Sequence, residues 1–432
     1  MRKLRGSETV TFKDFNLDIL PYDEDWSFAD IPNQGYYYAT HGYHHYHAKF
    51  IPQLAKKIIC KYSQKGDIIL DPFGGCGTTL VEAKLNERNS IGIDISHIAV
   101  LISKAKTRFI DERRLQKKNI ELIKKIKSSK DKRNYYKNAH PRLQYWFFPG
   151  QFNKLKIIDK FIKQERDSVI RIFYQCCLSH ILKQCSRWYS KSVKPMRDYK
   201  KKRICPFKAF EKHLTYMTKK NSEFKTYIES IKNKNTFCYV KRGDARKLNL
   251  PNNSVDLIVT SPPYVTSYEY VDLHQLSLLW FNFIKDLKIA KEAYIGTLSP
   301  KSKGHECNSK IAKEIIWQLR EKDKFLANRI NKYYYDLELA YREFIRVLKT
   351  KKYLCLIIGN TEYRKTQILN AEVSIELLEN IGVKISKIVK RKLGSKKLTP
   401  YRDNMGRFTN NAGKRKIYQN EYVIVAQKDK SY

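Results

Sequence analysis

Two short strings in this chain carry residue types that can do chemistry. The first is Asp71-Pro72-Phe73-Gly74-Gly75-Cys76-Gly77-Thr78-Thr79, and the second is Thr260-Ser261-Pro262-Pro263-Tyr264. Glycines at 75 and 77 let the backbone approach a ligand where a Cβ would stand in the way. The two prolines of the second string fix φ and remove two N–H donors, which frees the nearby carbonyls to act as acceptors. A hydroxyl, outward carbonyls and an aromatic ring on one rigid turn suit an exocyclic amine on a nucleobase. Such an amine is a poor nucleophile because its lone pair is delocalised into the ring. Acceptors that grip both N–H bonds draw the nitrogen towards a tetrahedral shape, localise the lone pair and stabilise the charge that develops there. Tyr264 adds a ring on which a base taken out of the duplex can stack.

The elements around the strings must bring them together. Phe50, Ile51, Leu54, Ile58 and Ile59 fall at helical spacing. After a turn at Gln64-Lys65-Gly66, Asp67–Asp71 reads as a buried strand running into the glycine loop. Thr78–Leu85 is the next helix, with a Thr near its start, and Ser90–Asp94 the second strand. Strand, glycine turn, helix and strand with a terminal acid make one βαβ unit of a doubly wound sheet. The rhythm then stops. From about 104 to 235 the sequence is basic, aromatic and helical in pattern. Strands resume at Thr236–Val240 and Val255–Thr260, the latter ending on the Ser-Pro-Pro-Tyr turn. Helices are expected at 268–285 and 331–349, and further strands at Tyr353–Gly359 and Glu421–Ala426.

The first string resembles the Asp-Pro-Phe-x-Gly-x-Gly-Thr motif of S-adenosylmethionine-dependent DNA amino-methyltransferases. It has neither the Gly-Lys-Ser/Thr of a triphosphate loop nor a full Gly-x-Gly-x-x-Gly. A glycine turn alone is also compatible with a structural role or another nucleotide. The resemblance covers 36–100, 236–285 and, more loosely, 335–428. It implies a Rossmann-like methyltransferase sheet with a large, mainly helical insertion, and S-adenosylmethionine as cofactor. It implies Asp71, Pro72, Phe73, Gly75, Gly77 and Thr78 as the cofactor loop. It also implies Asp94 as the ribose acceptor, about twenty residues past the loop, and Asp244 as the contact to the adenine amino group. A helix cap at Asp94 and an ordinary turn at Asp244 are the alternatives. The segment Tyr43–Phe50 matches the part of such enzymes that closes over the methionine end of the cofactor. Ser261, Pro262, Pro263 and Tyr264 become the catalytic turn. Most adenine-N6 enzymes of the family carry Asp or Asn before Pro-Pro and most cytosine-N4 enzymes carry Ser, so this turn resembles the N4 type. The cofactor loop precedes the catalytic turn, the reverse of many Ser-Pro-Pro-Tyr enzymes.

Other features bound this reading. A net charge of +42, from 85 Lys and Arg against 43 Asp and Glu, calls for a polyanion. Many Asn, Ile and Tyr accompany the lysines, so A/T-rich codons offer a second source of that charge, and charge does not separate DNA from RNA. A cytosine-C5 enzyme needs a Cys nucleophile after Pro, and no Pro-Cys dipeptide occurs. The nine cysteines follow no disulfide framework, as in a reducing cytoplasm. Cys176, Cys177, His180 and Cys185 read as buried helix residues before metal ligands, and no metal is expected. There is no run of about eighteen apolar residues, so no transmembrane helix is expected, and Met1–Ser7 lacks an apolar core, so no secretory leader is expected.

The expected layout is three parts: an N-terminal arm and cofactor half (1–103), a basic helical insertion (104–235) and a catalytic half (236–432) with a possible second insertion near 286–330. The insertion is the candidate reader of the target, with a helical scaffold as the alternative, and Ser302–Arg329 is a second candidate. The expected activity is methylation of cytosine N4 in double-stranded DNA, in a restriction–modification system whose nuclease is a separate chain. Adenine-N6 methylation, RNA methylation and silent nucleic-acid binding are the rivals.

Overall fold

The computed structural model describes residues 17–429 except 29, 48, 233, 265–268, 298–305, 394–400, 403–407, 410–414 and 417–419. Seven strands form the main sheet: β1 Ile68–Asp71, β2 Asn89–Asp94, β3 Cys238–Arg242, β4 Val255–Thr260, β5 Leu348–Gly359, β6 Lys384–Arg391 and β7 Glu421–Gln427. Their order is β3-β2-β1-β4-β5-β7-β6. The first five run parallel, and β7 lies antiparallel between β5 and β6. Parallel strands need cover on both faces, which explains why Val255–Thr260 is buried at every position.

Alternate side chains of the central strands feed two separate cores. On one face Ile69, Leu257, Val259, Cys355 and Ile357 meet Trp26 of the N-terminal arm and α1, Pro52–Tyr62. The helices α2 Thr78–Leu85 and α3 His97–Lys106 continue from β1 and β2. On the other face Leu70, Ile258, Leu354, Leu356 and Ile358 meet three later helices, named below. The doubly wound α/β sheet expected from the sequence is therefore the fold.

Among its described residues the insertion holds five helices: α4 Glu112–Lys127, α5 Pro141–Trp146, α6 Pro149–Lys163, α7 Ser168–Cys185 and α8 Pro206–Ser230. They bury their own apolar cluster, and α3 and α9, Tyr270–Trp280, join it. The insertion thus packs on the helix that follows the catalytic turn. After α10, Leu287–Glu292, come α11 Lys310–Arg320, α12 Lys324–Val347 and α13 Asn370–Asn380, which cover the second sheet face. In the stretch marked as a possible second insertion, α11 buries Ala312, Ile315, Ile316 and Leu319 in the sheet's core. The helix expected at 331–349 begins earlier, at Lys324, capped by the Asp323 carboxylate accepting from the Leu326 N–H at 2.9 Å. Among the elements without a clear sequence signal are β6 and α13. Strand β6 places lysines and Ser386 between its apolar residues, and only part of it is buried. Among the described residues, no helix is long and apolar enough to cross a membrane.

Candidate active site

Strand order reverses between β1 and β4, where the chain crosses to opposite sides of the sheet, and that crevice is where an open α/β sheet binds ligands. Ile69 pairs with Leu257 and Leu70 with Ile258, so the carboxyl ends of the two strands finish side by side. One carries the glycine loop and the other the Ser-Pro-Pro-Tyr turn. Asp71 joins them: its carboxylate accepts from the Thr260 hydroxyl at 2.7 Å, from the Thr79 hydroxyl at 2.6 Å and from the Phe73 N–H at 3.2 Å. Two strings 189 positions apart in sequence are thus fixed to one buried carboxylate.

The loop is shaped by its glycines. Gly75 and Gly77 have φ of 48° and 77°, where an L side chain is strained. At Gly77 a Cβ would also come within 2.9 Å of the Ser103 hydroxyl. Ser103 in turn donates to the Gly75 carbonyl at 2.9 Å, which pins the loop to α3. Gly77 caps α2 from beneath, while Pro72, Phe73, Gly75, Cys76 and Thr78 face a cleft. That cleft is open to solvent, and residues of both strings line it.

Asp94 lies in the cleft wall. One carboxylate oxygen accepts from the Gly75 N–H and the other from the Ser96 N–H, each at 2.8 Å. Every carboxylate oxygen has a second lone pair, so capacity remains for ligand hydroxyls. The helix-cap reading of Asp94 does not hold, because Ser96 is the residue that caps α3. Burial lifts both Asp71 and Asp94 to about 6.

Asp244 also lines the cleft, and here the turn reading gains weight. Both of its oxygens are held by the Arg246 guanidinium, at 2.7–3.1 Å. Burial pushes this carboxyl up, but the bonds from Arg246 outweigh it and hold the group below its usual range. Arg246 also donates to the Ala293 carbonyl at 3.0 Å, and Arg329 to the carbonyls of Thr297 and Gly296 at 2.9 and 2.8 Å. Two arginines therefore stretch the segment 293–297 over the cleft. Tyr294 of that segment sits beside Asp94 and Ser96, and burial raises its hydroxyl to about 12. Nothing in the sequence marked Tyr294, since its position depends on distant arginines.

The Tyr43–Phe50 segment reaches the cleft through Tyr46, Lys49 and Phe50. Tyr46 stacks on His274 with centroids 5.0 Å apart, and on Tyr270 at 6.1 Å. Tyr270 and His274 share one face of α9, an i,i+4 pair legible in the sequence. Burial, together with buried Lys106, brings the Lys49 ammonium down to about 8. A cation there suits an anionic group on a ligand, such as the carboxylate of an amino acid.

Of the catalytic turn, Ser261 and Pro263 face the cleft. Pro262 is buried. Tyr264 is not among the cleft-lining residues. Its half-buried ring packs against Gly359 at the end of β5, close enough that a Cβ on Gly359 would meet it at 3.6 Å. Its hydroxyl is within hydrogen-bonding reach of Ser261, and burial raises it well above the ordinary phenol range. Among the described residues no group of His, Cys, Asp or Glu is arranged to hold a metal ion. Cys176, Cys177 and Cys185 are buried along α7, while His180 stacks on His213 at 3.7 Å.

Known proteins resemble this chain in sequence. The model of the N6/N4 family described as DNA methylase matches residues 18–105, which include the glycine loop and Asp94. Type II methyltransferase M.MvaI of Kocuria varians is 26% identical over 427 residues, covering 90% of this chain and 91% of that protein. Type II methyltransferase M.MjaII of Methanocaldococcus jannaschii is 26% identical over 367 residues, covering 64% and 67%. Type II methyltransferase M.BsoBI of Geobacillus stearothermophilus is 25% identical over 421 residues, covering 81% and 80%. The chain is thus similar to DNA amino-methyltransferases, to the family's model over residues 18–105 and to M.MvaI along most of its length.

Proposed function

We propose that this chain methylates the N4 amine of a cytosine flipped out of duplex DNA. The observation that carries the reading is the shared cleft of the glycine loop and Ser261, joined through Asp71 and Thr260. The cofactor is S-adenosylmethionine, which supplies an electrophilic methyl group when bound. Asp94 would accept from its ribose, and Lys49 would face the carboxylate of its methionine part. Asp244, already paired with Arg246, would offer the adenine amine only its remaining lone pairs. At the turn, the Ser261 hydroxyl oxygen and the Pro262 carbonyl would accept the two amine hydrogens. The half-buried Tyr264 ring would stack on the base. The serine before Pro-Pro favours cytosine over adenine. Likeness to type II methyltransferases supports a modification enzyme, and this reading places it in the cytoplasm with any restriction nuclease on a separate chain.

Transfer of labelled methyl groups from S-adenosylmethionine tests the reading. Label is expected in duplex DNA and not in RNA of the same sequence; label in RNA alone would replace this function with RNA methylation.

Cofactor affinity should depend on pH. Asp94 offers its full set of acceptors only when ionised, and its carboxyl is lifted to about 6 from 3.8. Affinity measured by calorimetry is expected to fall as pH drops through about 6, and Asp94→Asn to flatten that dependence. The same shift acts with the opposite sign on the ligand-free fold. An acid with a raised folded pKa is a liability above about 6, and that liability disappears below 3.8. Acid conditions therefore weaken cofactor binding while relieving the cost that this group places on the ligand-free fold.

A further inference from the structure

Between α7 and α8 the chain makes a strap, 186–203, with eight Lys or Arg and one acid, Asp198. Backbone bonds fold it back on itself: the Tyr189 N–H donates to the Met196 carbonyl and the Asp198 N–H to the Arg187 carbonyl, at 2.8 and 2.7 Å. Trp188, 1% exposed, anchors the strap by stacking on Trp146 of α5 with centroids 5.0 Å apart. The Arg187 N–H donates to the Trp146 carbonyl at 2.7 Å, so strap and α5 form one rigid unit.

The cations of this unit are laid on rings. Arg197 sits 4.5 Å from the Tyr145 ring and 5.1 Å from the Tyr199 ring. Arg187 and Arg203 lie 4.1 and 4.7 Å from the Phe148 ring. Among the described residues none of these three arginines forms an ion pair with a carboxylate. The Nε–H groups of Arg187 and Arg197 are buried without an acceptor, so any phosphate contact falls to the terminal guanidinium nitrogens. The rings invite an equally plain reading as surface packing, but Tyr199 is 81% exposed and Tyr145 41%, too open to be core. A guanidinium with its face on a ring still presents its N–H edge outward, the geometry that matches phosphate oxygens.

The unit is linked to the cleft wall through α9. The Gln275 side chain accepts from Arg142 Nε at 2.7 Å and from Trp146 Nε1 at 3.0 Å. Gln275 adjoins His274, the residue that stacks on cleft-lining Tyr46.

We infer that the strap and α5 form a docking platform for the sugar–phosphate backbone of duplex DNA, holding it against the cleft mouth through Arg187, Arg197 and Arg203. This rests on the DNA methyltransferase reading and adds the surface that binds the substrate. The partner is argued from charge: unpaired guanidiniums on rings, in a segment with one acid, fit a regular polyanion.

The test is duplex binding by fluorescence anisotropy over a salt series, with wild type, Arg197→Gln/Arg203→Gln and Tyr199→Ala. A charge-matched control, Lys384→Gln/Lys387→Gln, removes two cations from β6. For the double arginine variant, binding is expected to weaken roughly tenfold or more at low salt. The slope of log affinity against log salt should become shallower by about two. Affinity for the demethylated cofactor should not change. Tyr199→Ala, which removes only an exposed ring, should weaken binding several-fold and so guards against a misfolded double variant. Unchanged binding in both variants, or an equal loss in the control, would overturn the platform while leaving the methyltransferase reading intact. Methyl transfer to RNA but not to DNA by the wild type would instead overturn that reading, and the platform with it.

Discussion

Ser261→Ala is expected to cut methyl-transfer turnover by about 10²–10³-fold, the usual effect of removing one preorganised group that stabilises developing charge. The argument is differential. An acceptor on the amine gains strength as the nitrogen becomes positive, so its loss falls on the transition state and not on the bound substrate. Ser261 is beyond the glycine loop and Asp94, so affinity for S-adenosylmethionine should stay within about threefold, a difference of less than 1 kcal/mol. Single-turnover kinetics with parallel cofactor titration separate the two. A variant that loses cofactor affinity and keeps its turnover would assign Ser261 to the cofactor and not to the amine.

Trp280→Ala is expected to lower the unfolding free energy by about 3–5 kcal/mol, as for large aromatics truncated in a core. Trp280 ends α9 and is 1% exposed. Its ring meets Phe152 at 5.0 Å and Phe147 at 5.8 Å, both from the insertion, and Lys156 lies 4.3 Å over its face. Its indole N–H has no acceptor, so the loss is of packing and not of a hydrogen bond. The cavity opens between the insertion and the helix that follows the catalytic turn. Denaturant unfolding checks the size of the effect. A loss below about 1 kcal/mol would show that the insertion is not welded to the sheet domain through this residue.

The parts of this protein that the sequence revealed are those where local chemistry dictates conformation. Val255–Thr260 is continuously apolar because a central parallel strand is covered twice, and its strand has those bounds. Gly75 and Gly77 mark backbone that a side chain would strain, and both adopt positive φ. Thr78–Leu85 forms the expected helix. What stayed hidden depends on distant partners. Tyr294 reaches the cleft because Arg246 and Arg329 hold its segment from elsewhere in the chain. The pairing of Asp244 with Arg246 is two residues long and was readable in principle, yet a carboxylate beside an arginine does not announce whether it faces a ligand or its neighbour. Tyr264 shows the same limit: the motif gives its type, but the packing of its ring on Gly359 follows from the end of β5, nearly a hundred positions later.

The measurement that bears most directly on the central claim is mass spectrometry of nucleosides from duplex DNA treated with the purified protein and S-adenosylmethionine. The account predicts N4-methylcytosine, formed by wild type and nearly absent with Ser261→Ala. N6-methyladenine as the sole product would contradict the cytosine assignment, and no methylated nucleoside at all would contradict the proposed function.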